Sequence, residues 1–395
     1  MSSRLAAPIS LFSEGPRTRT GPSRYDESEY HSLDRSARAY AAEVRAALDG
    51  WFYELPGYAR PSIRRKFASR ETPVHRGALL ELYLHEMFRR LELEIDLDVG
   101  REDAAHRRPD FLLEPNGNRT WVEATAVLGA DVFTAAERGR VQQLYDLLNR
   151  CRDRRFFLLV EIEEAGSATL GRKQILDPIE QWLARLDPAQ LRRAIDQGAN
   201  PPERQLTPAD WVITIGATPV RQDMPLTDDE RVLGSSVEGS AELDDVGPLR
   251  RTLKRKARHY GEVDAPYVIA VLCVGTFVAD NDVEKALLGD TRYVWDPNQR
   301  RLRGVREPNG LWHGPGKPVN TRVSAVVTIP QLSAASAAIA EPIVWINPWA
   351  ERPLPLQFPW RRREIASDGQ ITTHEATSPA AEVFGLPPKW PGSDV

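Results

Sequence analysis

Cysteine is nearly absent from this chain: Cys151 and Cys273 are the only two in 395 residues. One possible pair makes no disulfide framework, so a reducing cytosol is the expected compartment. Metal-ligand spacing is lacking too. There is no Cys-x-x-Cys, and the seven histidines form no pair at ligand spacing. The absence of a Walker loop and of Gly-x-Ser-x-Gly argues against P-loop and serine-hydrolase chemistry. No uninterrupted apolar run approaches the roughly 20 residues that span a bilayer. Met1 to Ser23 is rich in Ser, Pro and Arg without an apolar stretch, so it does not read as a secretory signal. Positive charge is not in excess either. With 52 Lys and Arg against 56 Asp and Glu, the net charge is -4, and a nucleic-acid site would have to be a local patch.

What remains is a soluble globular composition, 41% apolar and 27% charged, long enough for one large domain or two ordinary ones. Usage of Ala, Arg and Pro is bacterial in style, and a cytoplasmic location is expected. The spans read as an N-terminal arm and helix (1–60), an α/β core (61–290) and a Pro- and Trp-rich extension packed on it (291–395).

The informative stretch runs from Arg107 to Thr125. Phe111-Leu112-Leu113 is a short apolar run, Pro115-Asn116-Gly117-Asn118 a turn cluster, and Trp121-Val122-Glu123-Ala124-Thr125 a return strand, which together predict a β-hairpin. Asp110 sits at the mouth of the first strand and Glu123 inside the second. An acid amid Trp, Val and Ala is costly to bury unless it is hydrogen-bonded, paired or bound to a cation. Two such acids on adjacent strands suit a hard divalent ion.

Around the hairpin the periodicity predicts further elements. Residues 1 to about 28 read as a flexible arm, and Leu33 to Leu48 as a helix ended by Gly50 and Pro56. Trp51, Phe52, Tyr53 and Tyr58 then either stack on bases or pack the helix down. A helix over Arg76–Leu91 carries Glu81, flanked by leucines and expected to face inward, and Glu86, expected to be solvated. Leu93 to Asp98 alternates as a first strand. The loop with Arg101, His106, Arg107 and Arg108 offers arginines to phosphate or is plain surface. Thr134–Arg150 reads as a helix and Phe156–Ile162 as a strand buried on both faces. Helices over Ile175–Leu186 and Pro188–Gln197, a strand at Trp211–Ile215, an exposed loop over 222–246, and a basic helix over Leu249–Tyr260 follow. Strands at Pro266–Leu272, Val323–Ile329 and Ile343–Pro348 and a short helix over Asp282–Leu288 complete the pattern.

Pro109-Asp110 followed by Glu123-Ala124-Thr125 resembles the PD-(D/E)XK nuclease superfamily, and in particular bacterial members with Glu-x-Thr in place of Glu-x-Lys. The resemblance implies a restriction-endonuclease-like α/β core in the order helix, three strands, helix, strand. The helix with Gln142-Gln143-Leu144-Tyr145 is suggestive of a glutamine-plus-tyrosine motif found in some members. The implied activity is metal-dependent hydrolysis of phosphodiester bonds, with magnesium or manganese as cofactor. Nucleic acid, DNA first, is the implied partner, and a homodimer is left open. Asp110, Glu123, Glu81 and the Ala124 carbonyl are the implied metal ligands, and Thr125 stands where the motif lysine belongs. That lysine polarises phosphate or water, and in some members comes from another element. Lys254 or Lys256 of the basic helix could supply it, while Arg107, Arg108, Arg251, Lys254 and Arg258 would hold the backbone. Two readings compete: a catalytically degenerate binder of the same fold, and a structural protein in which Glu123 pairs with Arg107 or Lys254.

Overall fold

The computed structural model describes residues 9–98, 108–129, 134–221, 226–227, 229–237, 246–274, 279–296, 301–366, 370–387 and 389–392. The chain order is α1 (Glu29–Arg35), α2 (Ala39–Glu54), α3 (Arg60–Phe67), α4 (Thr72–Arg90), β1 (Ile95–Leu97), β2 (Phe111–Leu113), β3 (Thr120–Leu128), α5 (Ala135–Leu148), β4 (Phe156–Glu164), α6 (Arg172–Leu183), α7 (Pro188–Asp196), β5 (Glu203–Leu206), β6 (Val212–Pro219) and β7 (Leu233–Val237). It continues with α8 (Val246–Ala257), β8 (Tyr267–Val274), α9 (Asp280–Leu288), β9 (Thr291–Asp296), β10 (Arg301–Arg306), β11 (Val323–Thr328), β12 (Ile343–Ile346), β13 (Arg361–Ile365), β14 (Ile371–His374) and α10 (Ala380–Phe384). The class is mixed α/β, and no described helix is long and apolar enough to cross a membrane.

Two compact units divide the chain. The first is Met1–Arg17, Ala37–Ala130 and Asp244–Val395; the second is Thr18–Ser36 and Asp131–Leu243. In the first, an eight-stranded mixed sheet runs β1-β2-β3-β8-β11-β12-β13-β14. The expected hairpin forms, with Phe111 opposite Val122 and Leu113 opposite Thr120. Its turn is a single 3-10 turn over Pro115–Gly117, closed with Gly117 at φ 77°. β3 then pairs in parallel with β8, Glu123 opposite Ile269 and Thr125 opposite Val271.

The two faces of that sheet are covered differently. Trp121, Val127, Tyr267, Ile269 and Val271 share a core with Leu249, Leu253 and Ala257 of α8. Side chains alternate along a strand, so Val122 and Ala124 point the other way. On that side Phe88 of α4 meets Phe111 edge-on, ring centroids 5.6 Å apart. Glu123 and Thr125 therefore lie on the α8 face.

In the second unit a four-stranded sheet runs β5-β6-β4-β7 over the apolar sides of α5 and α6. This corrects the assignment of Phe156–Ile162. The strand is not the fourth of the main sheet, and it is not buried on both faces. Phe156, Leu158, Val160 and Ile162 face the core, while Leu159 is exposed beside Gly216 and Gly234. An apolar run signals burial but not which sheet receives it. The place beside β3 is filled instead by β8, preceded by α8.

Other expectations are corrected too. The polar N-terminal arm is anchored, since Leu11 and Phe12 are fully buried and the Leu11 amide donates to Asp49 at 2.8 Å. The helix expected over Leu33–Leu48 is two helices, broken at Ser36–Arg38, and Gly50 lies inside the second. Trp51 and Phe52 pack inward, Trp51 stacking on Phe384 at 4.7 Å. The loop expected over 222–246 contains β7.

Leu253 is fully buried between α8 and the sheet. Leu253→Ala should cost about 2–5 kcal/mol of stability, read from the midpoint of urea unfolding at unchanged slope.

Candidate active site

β2 begins at Phe111, one residue after Asp110, so the antiparallel ladder has its limit there while β3 runs on to Leu128. The Ala124 amide, which would continue the ladder, donates instead to Asp110 Oδ2 at 2.8 Å. Asp110 thereby becomes a side-chain substitute for a strand residue. Burial, then the charges of Glu123 and Glu81, hold its carboxyl well above the usual carboxylate range.

Glu123 is 2% exposed. Both its oxygens are engaged: Oε1 accepts from the Lys256 ammonium and Oε2 from the Tyr260 hydroxyl. Lys256 lies in the last turn of α8, and Tyr260 follows four residues later through a closing turn, His259 N to Lys256 O at 3.1 Å. The i and i+4 positions fall on one side of that path. Tyr267 steadies the turn by donating from its hydroxyl to the Lys256 carbonyl at 3.2 Å. Burial, and then the charge of Glu123, push the Tyr260 phenol far above its usual value, so it remains a donor.

Glu81 faces inward from α4, as expected, and is buried. Lys66 of α3 donates to both its oxygens, at 3.0 and 3.2 Å. Burial raises the Glu81 carboxyl, and the Lys66 charge opposes this. Three acids and two lysines thus lie within electrostatic reach of one another at this end of the sheet. Among the described residues, no group of three or more His, Cys, Asp or Glu side chains is arranged so as to hold a metal ion.

The other expected residues separate clearly. Lys254 turns away from Glu123 and donates to the Asn309 carbonyl at 2.7 Å. Thr125 is buried on the same face as Glu123. Arg108, Arg251 and Arg258 are exposed, whereas Arg101, His106 and Arg107 lie outside the described residues. Glu86 is not solvated as expected: it is buried and paired with Arg89 at 2.8 Å and Arg90 at 2.7 Å. The helix carrying Gln142 and Tyr145 is α5, which follows β3 in sequence but belongs to the second unit and not to the unit of the main sheet. Lys66 was missed by sequence reasoning, and Tyr260, read as stacking or capping the basic helix, was not expected at Glu123. The Lys-x-x-x-Tyr spacing at the end of a basic helix was the available signal for Tyr260; for Lys66 there was only its place beside the buried Phe67. No protein-family model, curated protein or solved structure matches the chain.

The raised Asp110 carboxyl has a stability consequence. An unfolded Asp titrates near ~3.9. Folding therefore favours the protonated acid, and this contribution is complete below that pH and lost as pH rises through the folded value. Asp110→Asn keeps an acceptor for the Ala124 amide and removes the charge. The variant should melt roughly 2–4 °C above wild type at pH 8 by differential scanning calorimetry, the gap closing towards pH 4. Tyr260→Phe should cost about 1–3 kcal/mol, because a buried carboxylate oxygen loses its donor.

Proposed function

We propose that the protein is a metal-dependent nuclease of restriction-endonuclease-like architecture that hydrolyses phosphodiester bonds, with DNA as the first substrate to consider. One observation carries this reading: an ammonium group, Lys256, lies against Glu123 although the strand offers only Thr125 where a motif lysine belongs. Acid, acid and lysine thus come together from β2, β3 and α8. The order α4, β1, β2, β3, α8, β8, with β8 parallel to β3, also agrees with such a core once the second unit is read as an insertion between β3 and α8.

The donor set fits a hard divalent cation. Asp110 and Glu123 would hold magnesium or manganese, with the Ala124 carbonyl, because amide and carbonyl of one strand residue point the same way and that amide faces Asp110. Glu81 is the reserve acid. Bound there, the ion supplies Lewis acidity and charge neutralisation for phosphodiester hydrolysis. Lys256 contributes fixed positive charge for the phosphoryl oxygens, and Tyr260 fixes the orientation of the Glu123 carboxylate. The Thr125 hydroxyl can orient a water but carries no charge. Arg108 offers a guanidinium fork to phosphate, and Arg251 of α8 and Arg258, one residue beyond its end, do the same.

The second reading, a catalytically degenerate binder of this fold, is favoured by a different observation. Both oxygens of Glu123 and both of Glu81 are already satisfied by protein donors. On this reading the ammonium groups stand permanently where a cation would otherwise neutralise the acids.

The two readings part in one assay. Single- and double-stranded DNA and RNA are incubated with magnesium or manganese and wild type, Glu123→Gln, Lys256→Met or Lys254→Met. The nuclease reading expects metal-dependent cutting by wild type and Lys254→Met, and a loss of at least 100-fold, or about 2.7 kcal/mol, in the other two. No cutting by wild type with either metal removes it.

A further inference from the structure

Among the described strands β9 and β10 pair only with each other, Tyr293 opposite Gly304 and Trp295 opposite Leu302. Alternation places Tyr293, Trp295 and Leu302 on one face. These side chains are 69%, 57% and 62% exposed. Gly304 lies opposite Tyr293; a Cβ there would meet the Tyr293 ring in ordinary contact at 3.8 Å and press on Thr291 Cγ2 at 3.2 Å. Arg292 and Arg303, both exposed, project from the other face beside Val294. Residues 291–306 hold five arginines and one aspartate, a net of +4 in a chain of net -4.

The root of this arm is fixed. Gly289 (φ 98°) and Gly310 lie so close to neighbouring backbone that a Cβ would fall 2.0 Å from the Glu307 carbonyl and 2.4 Å from the Leu287 carbonyl. Arg250 holds the Asp290 carboxylate at 2.7 and 3.1 Å, Asn309 donates to the same carboxylate at 2.6 Å, and Lys254 donates to the Asn309 carbonyl. Arg250 and Lys254 belong to α8, the helix that carries Lys256 to Glu123.

We propose that the β9–β10 hairpin is a stacking arm for an unpaired nucleic-acid strand, with Tyr293 and Trp295 against bases and Arg292 and Arg303 against phosphates. Alternate residues of a strand lie about 6.6 Å apart, so two rings on one face serve successive unstacked bases. Aromatic faces interleaved with arginine are the chemistry of sequence-tolerant single-strand binding. Self-association through this surface would bring two +4 segments together. For the identity of its partner the inference rests on the nuclease reading, but binding needs neither metal nor cutting.

The test is fluorescence anisotropy of labelled single-stranded DNA and RNA with the full-length protein in EDTA. Tyr293→Ala/Trp295→Ala should weaken binding about tenfold or more, and Tyr293→Phe/Trp295→Phe should restore most of it. Arg292→Gln/Arg303→Gln should flatten the slope of log affinity against log salt by about 1.4. Matching melting curves establish that each variant is folded. No binding by wild type, equal binding by the alanine variant, or a hairpin-dependent dimer in sedimentation without nucleic-acid binding would overturn the proposal. Binding that depends on the hairpin without cleavage keeps the arm and removes the nuclease. Cleavage with binding indifferent to the hairpin does the reverse.

Discussion

Glu123 stands in a strand between Val122 and Ala124, out of water, and a carboxylate there is tolerable only if donors are brought to it. That requirement organises this end of the sheet. α8 must dock with its last turn over β3, which Leu249, Leu253 and Ala257 secure on the apolar side and Lys256 on the polar side. The chain must then make one further turn so that Tyr260 reaches the second oxygen. Removing Lys256 while keeping the acid leaves an uncompensated charge, a larger loss than the pair itself is worth.

Asp110 and Glu81 extend the same constraint to neighbouring elements. Asp110 takes the amide that the end of β2 leaves unpaired, and Glu81 is neutralised from the other covering helix layer by Lys66. Both carboxyls are raised by burial, and each also feels Glu123. A cluster of mutually repelling acids lowers stability, a cost that the donors Lys66, Lys256 and Tyr260 offset. The exposed aromatics of β9–β10 represent the same kind of local expense, on a hairpin rooted to the same helix.

Much of this was legible in the residues. Turn chemistry at Pro115–Asn118 and the apolar runs on either side of it pointed to the hairpin, because turn residues and short apolar runs act locally. The leucines flanking Glu81 correctly turned it inward. Periodicity could not say which sheet would receive Phe156–Ile162, since an apolar strand suits a parallel or an antiparallel neighbour alike, and the insertion of a whole unit has no local signature. The choice of Lys256 over Lys254 depended on rotation of α8 about its axis, which Leu249, Leu253 and Ala257 set. Glu86 misled because a helix-face acid looks solvated until two arginines, Arg89 and Arg90, fold over it. The β9–β10 strands escaped notice because Val294 and Val305 share the arginine face and Gly304 the aromatic face, which breaks the polar-apolar alternation.

A lysine at the position of Thr125 would be two residues from Glu123; Lys256 is 133 residues away in sequence. Closing so long a loop costs several times RT in chain entropy, and the cost grows with the logarithm of its length. In a chain emerging from synthesis, Asp110 and Glu123 therefore exist as repelling acids until the inserted unit has passed and α8 arrives. The carboxylate-ammonium arrangement is thus a property of the finished fold alone, and any chemistry it performs is withheld from the nascent protein by topology.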